Sequence, residues 1–290
     1  MKKISSYIWD YRFSYLGAVL SLLIAVTLDM AAPRLTAHVV DDVIVGGNIG
    51  ELKFLLLGFL GVGLGRCIFQ YVKEYTFDKN GARISGDMRR DLFRHIQSLS
   101  ADFFDRTNTG ELMARVKEDI DHIWDAVGYV GMLLIEVFYH TGIILVCMFT
   151  INWKLALISG AAMLLCGVVA VIMERKLGAV YEEISEENAV LNTVAEENLG
   201  GVRTVKAFAR ESFEIDKFLS HNKRYYDLNM SQSGVLVRYY PVFTVITTVL
   251  PLLTLLVGGR FVINGEMTIG QLTAFVEYST NIVWPMEMLG

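Results

Sequence analysis

The stretch Phe54-Leu-Leu-Leu-Gly-Phe-Leu-Gly-Val-Gly-Leu-Gly-Arg-Cys-Ile-Phe-Gln-Tyr-Val72 carries a single charge, Arg66, in 19 residues. The residues immediately after it decide the fold. Charges return at Lys73 and Glu74, yet Ile84, Met88, Leu92, Ile96 and Leu99 keep recurring at steps of four and three. Arg89, Arg90, Asp91 and Arg94 fill the opposite face. That pattern is an amphipathic helix with one apolar stripe, and no Pro separates it from the apolar half. A helix over 54–99 at 1.5 Å per residue is roughly 69 Å long, over twice the thickness of a bilayer core. The stretch predicts a helix that crosses a membrane and continues far into water.

Working outward, Phe13–Leu28, Leu155–Met173 and Tyr239–Gly259 hold no Asp, Glu, Lys or Arg over 16, 19 and 21 residues. Ala126–Ile151 holds only Glu136, and Met267–Met286 only Glu277. About 20 apolar residues cross the hydrocarbon core as a helix, and lipid offers the backbone no other partners. Ten-residue alternating segments, the mark of a membrane barrel, are absent. The expectation is an all-α membrane protein with six long transmembrane helices at 13–40, 54–72, 126–151, 153–173, 239–259 and 267–290. Two long cytoplasmic helical extensions, 73–125 and 174–238, complete it. Composition agrees: 53% of the 290 residues are apolar, 20% are charged, and mean hydropathy is +0.42. Such a chain is not disordered. Its net charge of −5 gives no drive toward nucleic acid, and three Cys make no disulfide scaffold.

Lys and Arg set the orientation. Residues 1–12 carry three, 73–117 nine and 174–224 eight, while the connections holding Lys53, Lys154 and Arg260 carry one each. Both termini and both long loops are therefore expected in the cytoplasm, with the spans in the cell membrane. Lys2 and Lys3 resemble the start of a signal peptide, but the apolar run is too long and lacks a clear small-x-small site, so no cleavage is expected. Cys67, Cys147 and Cys166 all fall in apolar spans and read as small buried hydrophobes with free thiols. The five His show no ligand spacing.

In the second extension Ile184, Leu191, Val194 and Leu199 form the apolar stripe, and Glu182-Glu183, Glu186-Glu187 and Glu196-Glu197 are expected to face solvent. Each extension must turn at its tip. In the first, Ser100–Thr109 interrupts the stripe, and Asn108 with Glu111 has capping-box spacing, starting a new helix near Gly110. Phe103 and Phe104 at a watery tip favour a covering partner. In the second, Gly200-Gly201 breaks the helix, and Val202, Val205 and Phe208 form a short stripe beside Arg203, Lys206 and Arg210.

Three segments carry a family resemblance. Phe103-Phe-Asp-Arg-Thr-Asn-Thr-Gly-Glu-Leu-Met-Ala-Arg115 resembles the first intracellular loop of exporter-type (type I) ABC transporters. Glu197-Asn-Leu-Gly-Gly-Val-Arg-Thr-Val-Lys-Ala-Phe-Ala-Arg-Glu211 is similar to their second. Asn264-Gly-Glu-Met-Thr-Ile-Gly-Gln-Leu-Thr-Ala-Phe275, with Pro285 ten residues on, looks like the start of their sixth helix. The resemblance implies the transmembrane domain of an ATP-driven exporter that moves lipid, hydrophobic drug or peptide substrates by alternating access. It implies a second transmembrane domain, identical or different, and nucleotide-binding domains supplying ATP and Mg. It assigns coupling to Phe103, Phe104, Asp105, Thr107 and Gly110 in the first tip, and to Val205, Lys206 and Phe208 in the second. The family's phosphate-cradling loop, Gly-x-x-x-x-Gly-Lys-Ser/Thr, is not in these residues, since no Gly is followed by Lys. The nucleotide-binding domain is expected outside this chain.

Ionisable residues inside spans are costly and mark functional positions. Here they are Asp29, Arg34, Arg66, Glu136, His140 and Glu277, of which Arg66, Glu136, His140 and Glu277 are the cavity candidates. Glu136 and His140, four apart, share a helix face and are placed to bond each other. Glu277 is expected to face a central pathway; the competing reading is a structural bond to a neighbouring hydroxyl. Gly61 and Gly65, four apart, permit close helix approach, and Pro33, Pro241, Pro251 and Pro285 are expected to mark kinks. Tyr239, Tyr240 and Trp284 suit interface anchors or substrate-stacking groups. An ATP-independent channel or secondary transporter, and a membrane-anchored scaffold, are the readings this one displaces.

Overall fold

The computed structural model describes residues 4–106, 109–282 and 285. No strand occurs among the described residues. The chain opens with α1 (Ile4–Asp10), α2 (Arg12–Asp29) and α3 (Ala32–His38), which runs into a π-helical segment, Val39–Val45. Next comes α4 (Leu52–Gln97), one unbroken helix of 46 residues. Short helices α5 (Ala101–Arg106), α6 (Thr109–Ala114) and α7 (Ile120–Asp125) come after it, with π-helical turns at Arg115–Asp119 and Ala126–Val130, and then α8 (Gly131–Ile151). The remainder is α9 (Trp153–Gly200), α10 (Val202–Ala207), α11 (Glu211–Ile263) and α12 (Ile269–Asn281).

Among the described residues, five helical stretches are long and apolar enough to cross a membrane: Arg12–Val45, Ile49–Gln97, Arg115–Ile151, Trp153–Gly200 and Glu211–Ile263. The sixth expected span is represented by the 13 residues of α12. Val283, Trp284 and 286–290 lie outside the described residues, as does the anchor role given to Trp284. The second stretch shows why these helices need lipid or a partner. None of the residues in its most apolar 18-residue stretch is buried, with Phe54 77% and Leu64 63% exposed. Apolar surface on this scale is not left to water.

The first span departs from a single helix over 13–40, because it breaks between Asp29 and Ala32. Pro33 sits in the first turn of α3, where its missing N–H is no loss. Tyr278 donates its hydroxyl to the Met30 carbonyl at the break, 2.6 Å away. Pro241 and Pro251 lie inside α11, which continues through both. Of the two glycines four apart, only Gly65 approaches a neighbour, since a Cβ there would sit 3.0 Å from the Leu28 side chain while one at Gly61 meets nothing. Cys147 and Cys166 are buried, but Cys67 is exposed on the open face of α4.

The chain divides into two compact units. In the first (residues 1–156 and 254–285), α2 packs on α4 and α8 through Ala18, Leu22, Val26, Phe77 and Met132. The rings of Tyr15 and Phe77 meet edge to face, centroids 5.6 Å apart. A second cluster, Tyr7, Ile84, Met88 and Ile120, seats α1 on the amphipathic half of α4, as the stripe requires. Tyr7 donates to Asp91 at 2.9 Å and Tyr11 to Asp87 at 2.7 Å. Burial, then the Asp91 bond, raises the Tyr7 pKa, whereas for Tyr11 the Asp87 bond leads and burial comes second. In the second unit (residues 157–253), Cys166, Met173, Leu177 and Phe243 make the core between α9 and α11.

Two expectations fail here. Glu187 does not face solvent: it is buried between His221 (2.6 Å) and Arg224 (3.1 Å) of α11. A charge run is a solvated face only until another helix brings counter-charges to one of its members. Leu199, assigned to the stripe, is instead exposed near the tip.

Candidate functional site

Four of the six costly residues of the spans, Asp29, Arg66, Glu136 and His140, converge on one place in the first unit. Asp29, ending α2, forms an ion pair with Arg66 of α4. Seven residues on, two turns along the same face, Lys73 places its ammonium 2.8 Å from Glu136 of α8 and 3.2 Å from Glu74. Lys73 is only 1% exposed and Glu136 14%. His140 lies one turn beyond Glu136 and is buried. Asp29, Arg66, Gln70, Glu136, His140 and Asn281, with Ala25 and Val26, line a cavity of about 390 Å³. Arg66 answers Asp29 and buried Lys73 answers Glu136, while Glu74 is half exposed to water; such pairing is how ionised groups survive in a low-dielectric span. The arrangement presents fixed charges of both signs to a polar or zwitterionic group.

Three of the four cavity candidates, Arg66, Glu136 and His140, are thus brought together. Glu277 is not among the lining residues; half-buried on α12, it lies within hydrogen-bonding reach of the Thr36 hydroxyl. Arg34 donates to the Thr150 hydroxyl at 3.0 Å. Sequence reasoning missed Lys73 by counting it with the cytoplasmic positives. Its signal was the spacing Arg66, Gln70, Lys73, which keeps all three on one face of α4.

The start of α12 holds a second built feature. Thr268 and Gln271 form a capping box, and Asp41 from the π-helical segment accepts from the Thr268 hydroxyl at 2.5 Å and from the Gly270 N–H at 2.8 Å. Asp41 was not singled out from sequence.

At the first tip, Phe103 and Phe104 lie on α5, both half-buried, with centroids 5.7 Å apart and rings nearly perpendicular. Gly110 is exposed on α6. The Asp105 and Glu111 side chains, Thr107 and Asn108 lie outside the described residues, and with them the capping box expected there. At the second tip, α9 ends at Gly200 and α10 carries Val205, half-buried, and exposed Lys206. Phe208 is 73% exposed. Ala209 adopts a left-handed φ of 50°, closing α10 sharply at some steric cost. Beside α10 a groove of about 430 Å³ is lined mainly by Leu199, Val202, Val205, Ile215, Phe218 and Leu219.

Comparison with known proteins agrees with this architecture. The family description ABC transporter transmembrane region matches residues 15–286. The chain is 26% identical, over its full length and 49% of the relative's, to an uncharacterized ABC transporter ATP-binding protein of Bacillus subtilis. It is 28% identical, over 95% of itself and 48% of the relative, to an ATP-dependent lipid A-core flippase of Desulfotalea psychrophila. To an ABC-type oligopeptide transporter of Mus musculus it is 25% identical, over its full length and 38% of that protein. The chain spans half or less of the length of these relatives. Long apolar helices and a family match over residues 15–286 make this a multi-pass membrane protein that belongs to the ABC transporter transmembrane region family.

Proposed function

We propose that the chain is the transmembrane pathway and coupling domain of an ATP-driven exporter working by alternating access in the cell membrane. In this reading the chain has six spans and two cytoplasmic extensions, 73–125 and 174–238, and the excess of Lys and Arg in the extensions supports both termini and both tips in the cytoplasm. The tips meet nucleotide-binding domains, and a second transmembrane domain, identical or different, completes the pathway across the lipid bilayer. These residues hold no Gly-Lys pair, so the nucleotide-binding domain, and not this chain, would hold ATP and Mg and supply the energy. The chain's own part is mechanical: α4 and α9, 46 and 48 residues long, carry movement at their tips into the spans as levers. Lipid, hydrophobic drug and peptide are the substrate classes, in keeping with relatives named for a lipid and for oligopeptides.

The observation that carries this reading is the exposed apolar surface at the second tip, Phe208 above all, beside a mainly apolar groove. The first tip offers the cleaner test. In the full-length protein, Phe103→Ala with Phe104→Ala should uncouple transport from ATP hydrolysis while expression and melting temperature stay near normal. Truncating aromatic anchors at an interface costs about 2 kcal/mol or more, roughly a thirtyfold loss of engagement. Failure of the double variant to fold would assign the two rings to local packing.

Glu277 is proposed to face the pathway in at least one state. Glu277→Gln should change the preference between cationic and neutral substrates with ATPase stimulation intact, measured by transport into vesicles. Equal loss for every substrate, with lower stability, would mark Glu277 as structural.

A further inference from the structure

Where α4 leaves its apolar half, a separate cavity of about 390 Å³ lies between α4 and the π-helical turn that leads into α8. Tyr71 and Tyr75, one turn apart on α4, stack with centroids 5.9 Å apart and planes 9° from parallel. Tyr129, from the turn Ala126–Val130, supplies a third phenol ring. Glu74 and Asp78, also one turn apart on α4, add two carboxylates, and buried Phe77 completes the wall.

Aromatic faces carry a negative quadrupole and attract cations within about 6 Å of the ring centroid. Carboxylates beside such rings add Coulomb attraction for the same cation. Outside the cavity lining, the Lys79 ammonium stands over the Tyr75 ring at 5.2 Å, so this ring already takes part in one cation–aromatic contact. Glu74 shares the Lys73 ammonium with Glu136, whereas Asp78 has no ion-pair partner among the described residues. The cavity therefore keeps one uncommitted negative charge among three rings, at the depth where the apolar run ends and charges return.

We propose that this cavity binds an organic cation, a tertiary or quaternary ammonium group seated against Tyr71, Tyr75 and Tyr129, with Asp78 and Glu74 as counter-charges. The ammonium can belong to a lipid headgroup or to a soluble amine, the chemistry being the same. The site is separate from the Asp29–Arg66 cavity and does not depend on the exporter reading.

The test needs neither transport nor ATP hydrolysis. Binding of radiolabelled choline to the full-length protein in phosphatidylglycerol nanodiscs is measured by equilibrium dialysis. Tyr71→Leu with Tyr75→Leu should weaken binding about tenfold, while Tyr71→Phe with Tyr75→Phe, which keeps the ring faces, should stay within about threefold. Asp78→Asn should weaken it about fivefold by removing the counter-charge. Tetraethylammonium should compete, and dimethylbutanol, the uncharged carbon analogue of choline, should not. Equal damage from the Phe and Leu pairs, equal competition by the neutral analogue, or no choline binding would overturn the site and leave the tyrosines as interface anchors. If the Leu pair does not fold, Asp78→Asn and the competitor comparison decide alone. Repetition in phosphatidylcholine nanodiscs assigns the source: lost choline binding supports a resident lipid headgroup, and retained binding supports a soluble cation.

Discussion

Lys73→Met should lower the melting temperature of the purified protein by on the order of 10 °C, and adding Glu136→Gln should restore most of the loss. Lys73 is 1% exposed and its ammonium serves Glu136 and Glu74 at 2.8 and 3.2 Å. Removing one partner of a buried pair costs about 3–5 kcal/mol, because the other charge stays behind without compensation, while removing both charges is close to neutral. Glu136 is 14% exposed, so it has little water to turn to. The double variant separates two causes that the single one confounds. If Lys73→Met and the double variant melt at the same lowered temperature, Lys73 acts through the packing of its aliphatic stem, and the ion pair contributes nothing. Thermal unfolding monitored by intrinsic fluorescence in detergent is sufficient.

The second large effect is expected at Gly270. A Cβ there would collide with the Ala37 carbonyl oxygen and lie 2.6 Å from the Asp41 carboxylate, and neither contact is tolerable. Backbone oxygen cannot rotate away as a side-chain tip can, so α12 must shift outward. Overpacking of this kind costs about 1–3 kcal/mol. The shift also breaks the bond from the Gly270 N–H to Asp41, and hydrogen bonds to charged groups are worth about 1.5–3 kcal/mol. Gly270→Ala should therefore be among the most destabilising single-methyl changes in the chain. Asp41→Asn, which keeps the shape but loses the charge, should cost less. A Gly270→Ala protein with unchanged melting temperature would mean that α12 starts elsewhere than beside the Val39–Val45 segment. Prolonged exchange protection at the first turn of α12, lost on the same substitution, would be the corresponding local readout.

Much of the fold was legible because its signals are local. Hydropathy averaged along a helix reports what surrounds it, so the apolar runs located five membrane-crossing stretches. The amphipathic period after Val72 foretold that α4 would run on without a break, 52–97 observed against 54–99 expected. The Gly200-Gly201 pair marked the end of α9. The break at Met30–Ala31 was not foreseen, since a Pro in a span marks a disturbance without saying whether the helix bends, restarts or continues. Pro33 begins a new helix, while α11 runs through Pro241 and Pro251.

The site divides in the same way. Arg66, Glu136 and His140 were singled out by the cost of charge in a span, a property of each residue and its neighbours in sequence. Which group answers which charge did not. Lys73 meets Glu136 across 63 positions, Glu187 meets His221 across 34, and Asp41 caps Gly270 across 229. A periodic pattern defines a helix face but not the face opposite it. By itself the sequence determined that the chain is helical, where its long apolar stretches lie, and that α4 runs on past its apolar half. Only tertiary packing decided which carboxylates would be buried, because burying a charge depends on a counter-charge within about 4 Å that arrives on another helix.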